Sequence, residues 1–187
     1  MDYKQSEELQ LKLAKLNNLI ANFKKELVSD DLRTKVISLI PVFHQLREIG
    51  KAIVPPQSAS SARDRILFYF KKYPNTIIHG DELLVVSGIQ EYARRIRELR
   101  VQFGWHIING ITANTMSTED EFLLTSIDVT KMGPDDYLLL STKEDKEAAY
   151  RWNIANEIRK ESFGVREKIL HFFQRNIGKP ISGEELR

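Results

Sequence analysis

The sequence predicts a mainly helical α+β protein with one small β-hairpin, and three observations lead to that reading. Apolar residues at steps of three and four fill the N-terminal third and return toward the C-terminus. In the middle, short β-prone runs alternate with helix stops. The segment that starts this middle region also recurs near the C-terminus without a gap.

The first stripe, Leu9, Leu13, Leu16, Ile20, Phe23 and Leu27, marks a helix over about residues 6–28. Asp30 and Asp31 can cap a second helix, whose stripe is Leu32, Val36, Leu39, Phe43, Leu46 and Ile49 and which reaches about Ala52. The two stripes are expected to face each other in a hairpin over residues 1–54. Pro41 removes a backbone donor inside the second helix, so a kink or break is expected near Ile40. A packed structural pair is the plainer reading of this hairpin, and a dimerisation coiled coil through residues 6–52 the sharper one.

Residues 55–61 join two prolines to small polar residues and read as an extended, exposed linker. Ser61 and Asp64 have capping-box spacing, and Ile66, Leu67, Tyr69, Phe70 and Tyr73 give the helix that follows an apolar face. Thr76, Ile77 and Ile78 are β-prone, and a short helix from Gly80 stops at Ser87-Gly88. Ser87 and Gln90 repeat the capping-box spacing and open a longer helix that Gly104 ends. Residues 105–108 and 136–140 then pair as strands around a long excursion, residues 110–134, in which residues 119–124 are a candidate helical turn. This order over residues 62–142 is that of a winged helix-turn-helix, whose third helix enters the major groove. Residues 143–161 read as a connecting helix and residues 162–187 as the start of a second such unit.

The second unit rests on the internal match. RDRILFYFKKYPNTIIHGDELL from Arg63 lies over REKILHFFQRNIGKPISGEELR from Arg166, pairing Ile66 with Ile169, Leu67 with Leu170, Phe70 with Phe173 and Gly80 with Gly183. Ser182 and Glu185 form a better capping box than His79 does. This copy stops inside its short helix, leaving Ile169, Leu170, Phe172 and Phe173 uncovered, so the chain is expected to be a fragment of a longer protein.

Composition bounds the function. The 187 residues hold enough hydrophobic content, 42%, for a real core. No apolar run approaches the roughly 20 residues of a membrane span, and MDYKQSEELQ has no signal-peptide layout, so a cytoplasmic location and no membrane partner are expected. The absence of cysteine excludes disulfides, thiolate metal sites and a cysteine nucleophile. His44, His79, His106 and His171 are scattered without ligand spacing, and no phosphate-binding glycine loop is present. Neither a catalytic residue nor a metal site is expected in this chain. A net charge of +2 means that any nucleic-acid surface must come from local clustering.

That cluster is residues 89–100. Helical geometry turns Ile89, Tyr92, Ala93, Ile96, Leu99 and Phe103 inward and leaves Gln90, Glu91, Arg94 and Arg97 outward, with Arg95 and Arg100 beside them. Gln pairs bidentately with adenine, Arg with guanine or phosphate, and Glu accepts from cytosine. Arg63, Arg65, Lys71 and Lys72 of the first helix are candidate phosphate contacts. A solvated face with ion pairs Glu91–Arg95 and Arg94–Glu98 is the plainer alternative. Glu119, Asp120, Glu121, Asp128, Asp135 and Asp136 make the excursion acidic, repelling a duplex unless Lys131 reaches across or the loop folds away.

The repeat and the helix YARRIRELRVQFGWHI resemble the N-terminal region of bacterial HNH-type endonucleases of the restriction class, over Arg63 to Tyr137 and again from Arg166. The resemblance implies one or two winged-helix units that bind double-stranded DNA ahead of a metal-dependent nuclease. It therefore places any divalent metal in a downstream nuclease domain and carries over to Gln90, Arg94, Arg97 and their neighbours as DNA contacts. A winged-helix transcriptional regulator and a protein-interaction scaffold are the competing readings.

Overall fold

The computed structural model describes residues 3–115, 127–179 and 181. Among them the protein is mostly helical, with one three-stranded antiparallel sheet. Helices α1 (Tyr3–Glu26) and α2 (Leu32–Ile53) form the N-terminal hairpin. They run antiparallel, since the Gln5 amide donates to the Ala52 carbonyl and the Gln45 amide to that of Lys12. Asp31 caps α2, accepting from the Arg33 and Thr34 amides. The helix runs through Pro41 without ending. Ile37, four residues earlier, is exposed, so water can satisfy the carbonyl that proline leaves free.

The two stripes do not face each other. Leu16 of α1 is buried, but on α2 the buried residues are Val42 and Gln45, the latter bonded to Lys12 of α1, while Leu32, Val36, Phe43 and Leu46 stay exposed and Leu39 and Ile49 are half-buried. Toward its C-terminal end α2 closes on α4 (Gly80–Ser87): a Cβ at Gly50, next to Ile49 of the stripe, would stand 2.3 Å from the Val85 carbonyl oxygen. In the linker Pro56, Gln57, Ser58, Ser60 and Ser61 are exposed, but the segment is turned rather than extended. Val54 and Ala59 are buried in the main core, because a turn closed by Ser58 N–H on the Pro55 carbonyl folds the segment back onto it.

The centre is built from α3 (Ala62–Lys72), β1 (Ile78–His79), α4 (Gly80–Ser87), α5 (Tyr92–Val101), β2 (Ile107–Asn109) and β3 (Asp136–Leu139), with sheet order β1-β3-β2. Ile78 pairs with Tyr137, and Ile107 with Leu139. Ser61 and Asp64 close the predicted capping box on α3. His79 caps α4 itself, its Nδ1 accepting from the Asp81 amide while Glu82 accepts from the His79 amide. Alternation along the strands divides the apolar side chains between two cores. Ile78, Ile107 and Leu139 join Ile66, Phe70, Leu83, Val86, Ile96 and Leu99 of α3–α5. Each such side chain contributes about 1.5–3 kcal/mol of burial.

Leu138 and Ile108 face the other way and meet Ala113 and Met132. The excursion is therefore not a free wing: α6 (Gly110–Thr115) and a 3-10 turn (Val129–Lys131) fold onto the second face of the sheet. The candidate turn at residues 119–124 lies outside the described residues. Helix α7 (Lys146–Arg159) leads to α8 (Val165–Arg175), and Ile154, Ile158 and Phe172 cluster between them. Gly183, Ser182 and Glu185 of the repeat also lie outside the described residues. No described helix is long and apolar enough to cross a membrane.

Candidate nucleic-acid interface

The turn between α4 and α5 sets where α5 points, and it is held by a buried arginine. Gly88 ends α4 in the left-handed region, at φ +67°, a conformation that an L side chain resists. Ser87 is fully buried, and its hydroxyl receives the Ile89 amide. It therefore caps nothing at Gln90, and α5 begins at Tyr92 with no side-chain cap from Glu91. Arg65 crosses from α3 to complete the turn. Its Nε donates to the Val86 carbonyl at 3.0 Å, Nη2 to Ser87 at 2.7 Å and Nη1 to Ser60 at 3.1 Å. A cation on the last carbonyls of α4 also meets the negative end of the helix dipole. Arg65 is thus unsuited to a phosphate contact, and burial pulls its pKa down against the opposing pull of Asp64 and Glu48.

Helix α5 buries Ile96 and Leu99, with Tyr92, Arg95 and Glu98 half-buried. Ala93 and Phe103, expected inside, are exposed: Ala93 sits at the edge of the face set by Ile96 and Leu99, α5 ends at Val101 before Phe103, and Arg95 at the other edge turns toward the body. The outward stripe is Gln90, Ala93, Arg94, Arg97 and Arg100, all exposed, with exposed Glu91 at the helix start. Ion pairs separate these arginines. Arg95 donates to Glu98 at 2.8 Å, and Arg94 lies 3.6 Å from Glu91 and 3.7 Å from Glu98. The predicted pair Arg94–Glu98 is present, and Arg95 takes Glu98 rather than Glu91. Arg97 and Arg100 make no ion pair among the described residues, so they are the cations open to an external anion. Arg100 also acts on the base of the hairpin: burial, then Tyr92 and Asp135, push the Tyr137 hydroxyl up, and Arg100 pulls it back.

The other candidate cations lie on α3. Arg63 covers the Phe103 ring at 4.4 Å and Lys71 the Trp105 ring at 4.2 Å, while Lys72 is exposed. Arg63 and Lys71 are thereby oriented by contacts with the two aromatic residues flanking the end of α5. The acidic residues described in the excursion are largely occupied. Asp128 pairs with Lys131 at 2.9 Å, so Lys131 does not reach across, and Asp136 accepts from the Gly133 amide at 2.8 Å. Glu119, Asp120 and Glu121 lie outside the described residues.

The sequence missed Arg65 as a positioning residue. The available signal was its place on the inner side of α3, next to Ile66 and one turn before Tyr69 and Phe70. Among the described residues no three His, Asp or Glu side chains converge as a metal site. Residues 63–140 match the family model described as KpnI N-terminal domain, a stretch that runs from the start of α3 to just beyond β3. No curated protein and no solved structure matches the chain.

Proposed function

We propose that residues 62–142 are a winged-helix DNA-recognition unit and that the chain serves as the targeting part of a restriction-type endonuclease. The observation that carries this reading is the exposed stripe Gln90, Arg94, Arg97 and Arg100 on α5, inside the stretch that matches the KpnI N-terminal domain. The order α3-β1-α4-α5-β2-β3, with β3 between β1 and β2, supports the winged helix and makes α5 its recognition helix. Gln90 and Arg97 are assigned to base edges, and Arg94, Arg95, Arg100, Arg63, Lys71 and Lys72 to phosphates and to the field that draws a duplex in. Glu91 is a cytosine acceptor at the helix start. Arg65 fixes the angle at which α5 leaves the body.

The parent activity follows the resemblance to HNH-type enzymes, and a cytoplasmic location goes with it. The resemblance, and not any feature of these residues, assigns the nuclease step and its divalent ion to a separate nuclease domain; the contribution proposed for the residues described is binding.

Fluorescence anisotropy of the full chain on a labelled duplex, titrated at several salt concentrations, tests the reading. Binding should fall linearly in log salt, and Arg97→Ala should weaken it about tenfold, within the ~1–3 kcal/mol typical of a bidentate base contact. Arg100→Ala should lower the salt slope by about 0.9 if it holds one phosphate. Failure to retain any duplex at low salt overturns the proposal.

A further inference from the structure

The heptad face of α2 has a partner at one end only. Leu32, Val36, Leu39, Phe43, Leu46, Gly50 and Ile53 follow steps of four and three, the spacing of a seam that packs against another helix. At Gly50 this face is closed by Val85 of α4. Over the four turns before it the face is largely open, with Leu32 73%, Val36 54%, Phe43 60% and Leu46 50% exposed and Leu39 half-buried. Hairpin partner α1 lies on a different side of α2, against Val42 and Gln45. Where the open and closed parts meet, Ile40, Phe43 and Leu46 of α2, Leu84 and Val85 of α4 and Gln90 line a pocket of about 400 Å³.

We infer that this face is a dimer seam, occupied by the same face of a second copy running antiparallel. Sterics select the direction. A parallel partner would have to pass position 50 on the side that α4 already fills. An antiparallel partner centred on Leu39 sets its Leu32 opposite Leu46, so its N-terminal end stops at the pocket beside α4 and places Leu32 there. The match is self-complementary, as a two-fold interface requires. Leu32, Val36, Phe43 and Leu46 supply the open apolar surface of the seam, and together with the flanking polar atoms they are set against the roughly 800 Å² per partner of a specific interface.

The arrangement has a consequence that rests on the DNA-binding reading above. Gly50, where each copy holds its α4, is eleven residues from Leu39, or about 16 Å along the helix. The two α4 contact points therefore stand about 33 Å apart, near the ~34–36 Å that separates half-sites one duplex turn apart.

Sedimentation of the full chain without DNA is the test. At tens of micromolar the chain should sediment as two copies. Phe43→Asp should halve the mass with an unchanged circular dichroism spectrum, while Ile20→Asp, exposed on α1, should leave the dimer intact. Because the chain has no cysteine, single thiols report direction. Leu39→Cys should form a disulfide-linked dimer under mild oxidation. Leu32→Cys should not link to itself, being about 21 Å from its counterpart, but should link to Leu46→Cys. A one-copy wild type, a dimer indifferent to Phe43→Asp, or self-linking at position 32 overturns the inference. A monomer that still binds duplex with salt dependence separates this failure from failure of the DNA-binding reading.

Discussion

Helices α3 and α8 carry nearly the same pattern and have opposite fates. Phe70 of α3 is fully buried, whereas Phe173, its counterpart in the sequence match, is 44% exposed. Leu67 is half-buried and Leu170 exposed. One position earlier the order reverses, with Tyr69 half-buried and Phe172 buried against α7. Arg65 and Lys168 match too. Arg65 seals the Val86 and Ser87 carbonyls at the α4–α5 turn and that of Ser60 before α3, and Lys168 donates once, to the Arg159 carbonyl at the end of α7. The difference teaches that an apolar stripe defines a helix and a face to cover, while neighbouring elements decide which of its residues become core. Around α3 those neighbours are α4, α5 and β3; α8 packs on α7.

Paired substitutions followed by urea denaturation can break or sharpen this contrast. The largest difference is expected at the aromatic pair: Phe70→Ala should cost about 3–5 kcal/mol, and Phe173→Ala under about 1 kcal/mol. Equal costs would mean that α8 is as deeply packed as α3. Next comes the cationic pair. Arg65→Met leaves buried carbonyls at Val86 and Ser87 without their donor and should cost about 3 kcal/mol, while Lys168→Met should cost less than about 1 kcal/mol. Arg65→Met should also weaken duplex binding at conditions where the protein stays folded, because α5 loses its anchor; Lys168→Met should not.

The smallest effect concerns the helix starts. Ser61 donates to Asp64 and holds its carboxyl below the usual range, with burial opposing this. A carboxyl depressed in the folded state stabilises above its unfolded pKa and loses that contribution as pH falls through the folded value. Asp64→Asn should therefore cost about 1 kcal/mol near neutral pH and less as the solution is acidified below the ordinary carboxylate range. A penalty that stays constant down to the acid limit would show that the charge contributes nothing there.

The outward stripe of α5 was only partly legible in the sequence. Arg94 and Arg97 fall outward under any helical register that buries Ile96 and Leu99. Arg95 and Ala93 lie at the two edges of that buried face, where spacing alone does not decide burial; the body of the fold takes Arg95 and leaves Ala93 outside. Ser87 had the right spacing for a cap, but it is fully buried and its hydroxyl is used by the turn itself. The charge of the excursion predicts repulsion of a duplex unless Lys131 reaches across or the loop folds away, without deciding between them. Its apolar residues Ala113 and Met132 are too sparse for a period, and only the second face of the sheet shows where they go.

The sequence by itself determined what depends on neighbours three or four residues apart: the long helices, the caps at Asp31 and Ser61, the pairing of Ile66 with Phe70, and the arginine cluster. Such interactions are closed within one helical turn, so their spacing is written in the chain. Tertiary structure alone decided which face of α2 met α1, that Val54 and Ala59 entered the core, and that Arg65 spans 22 positions to Ser87. These contacts join residues far apart in the chain, and at that range a stripe states that a surface must be covered without stating by what.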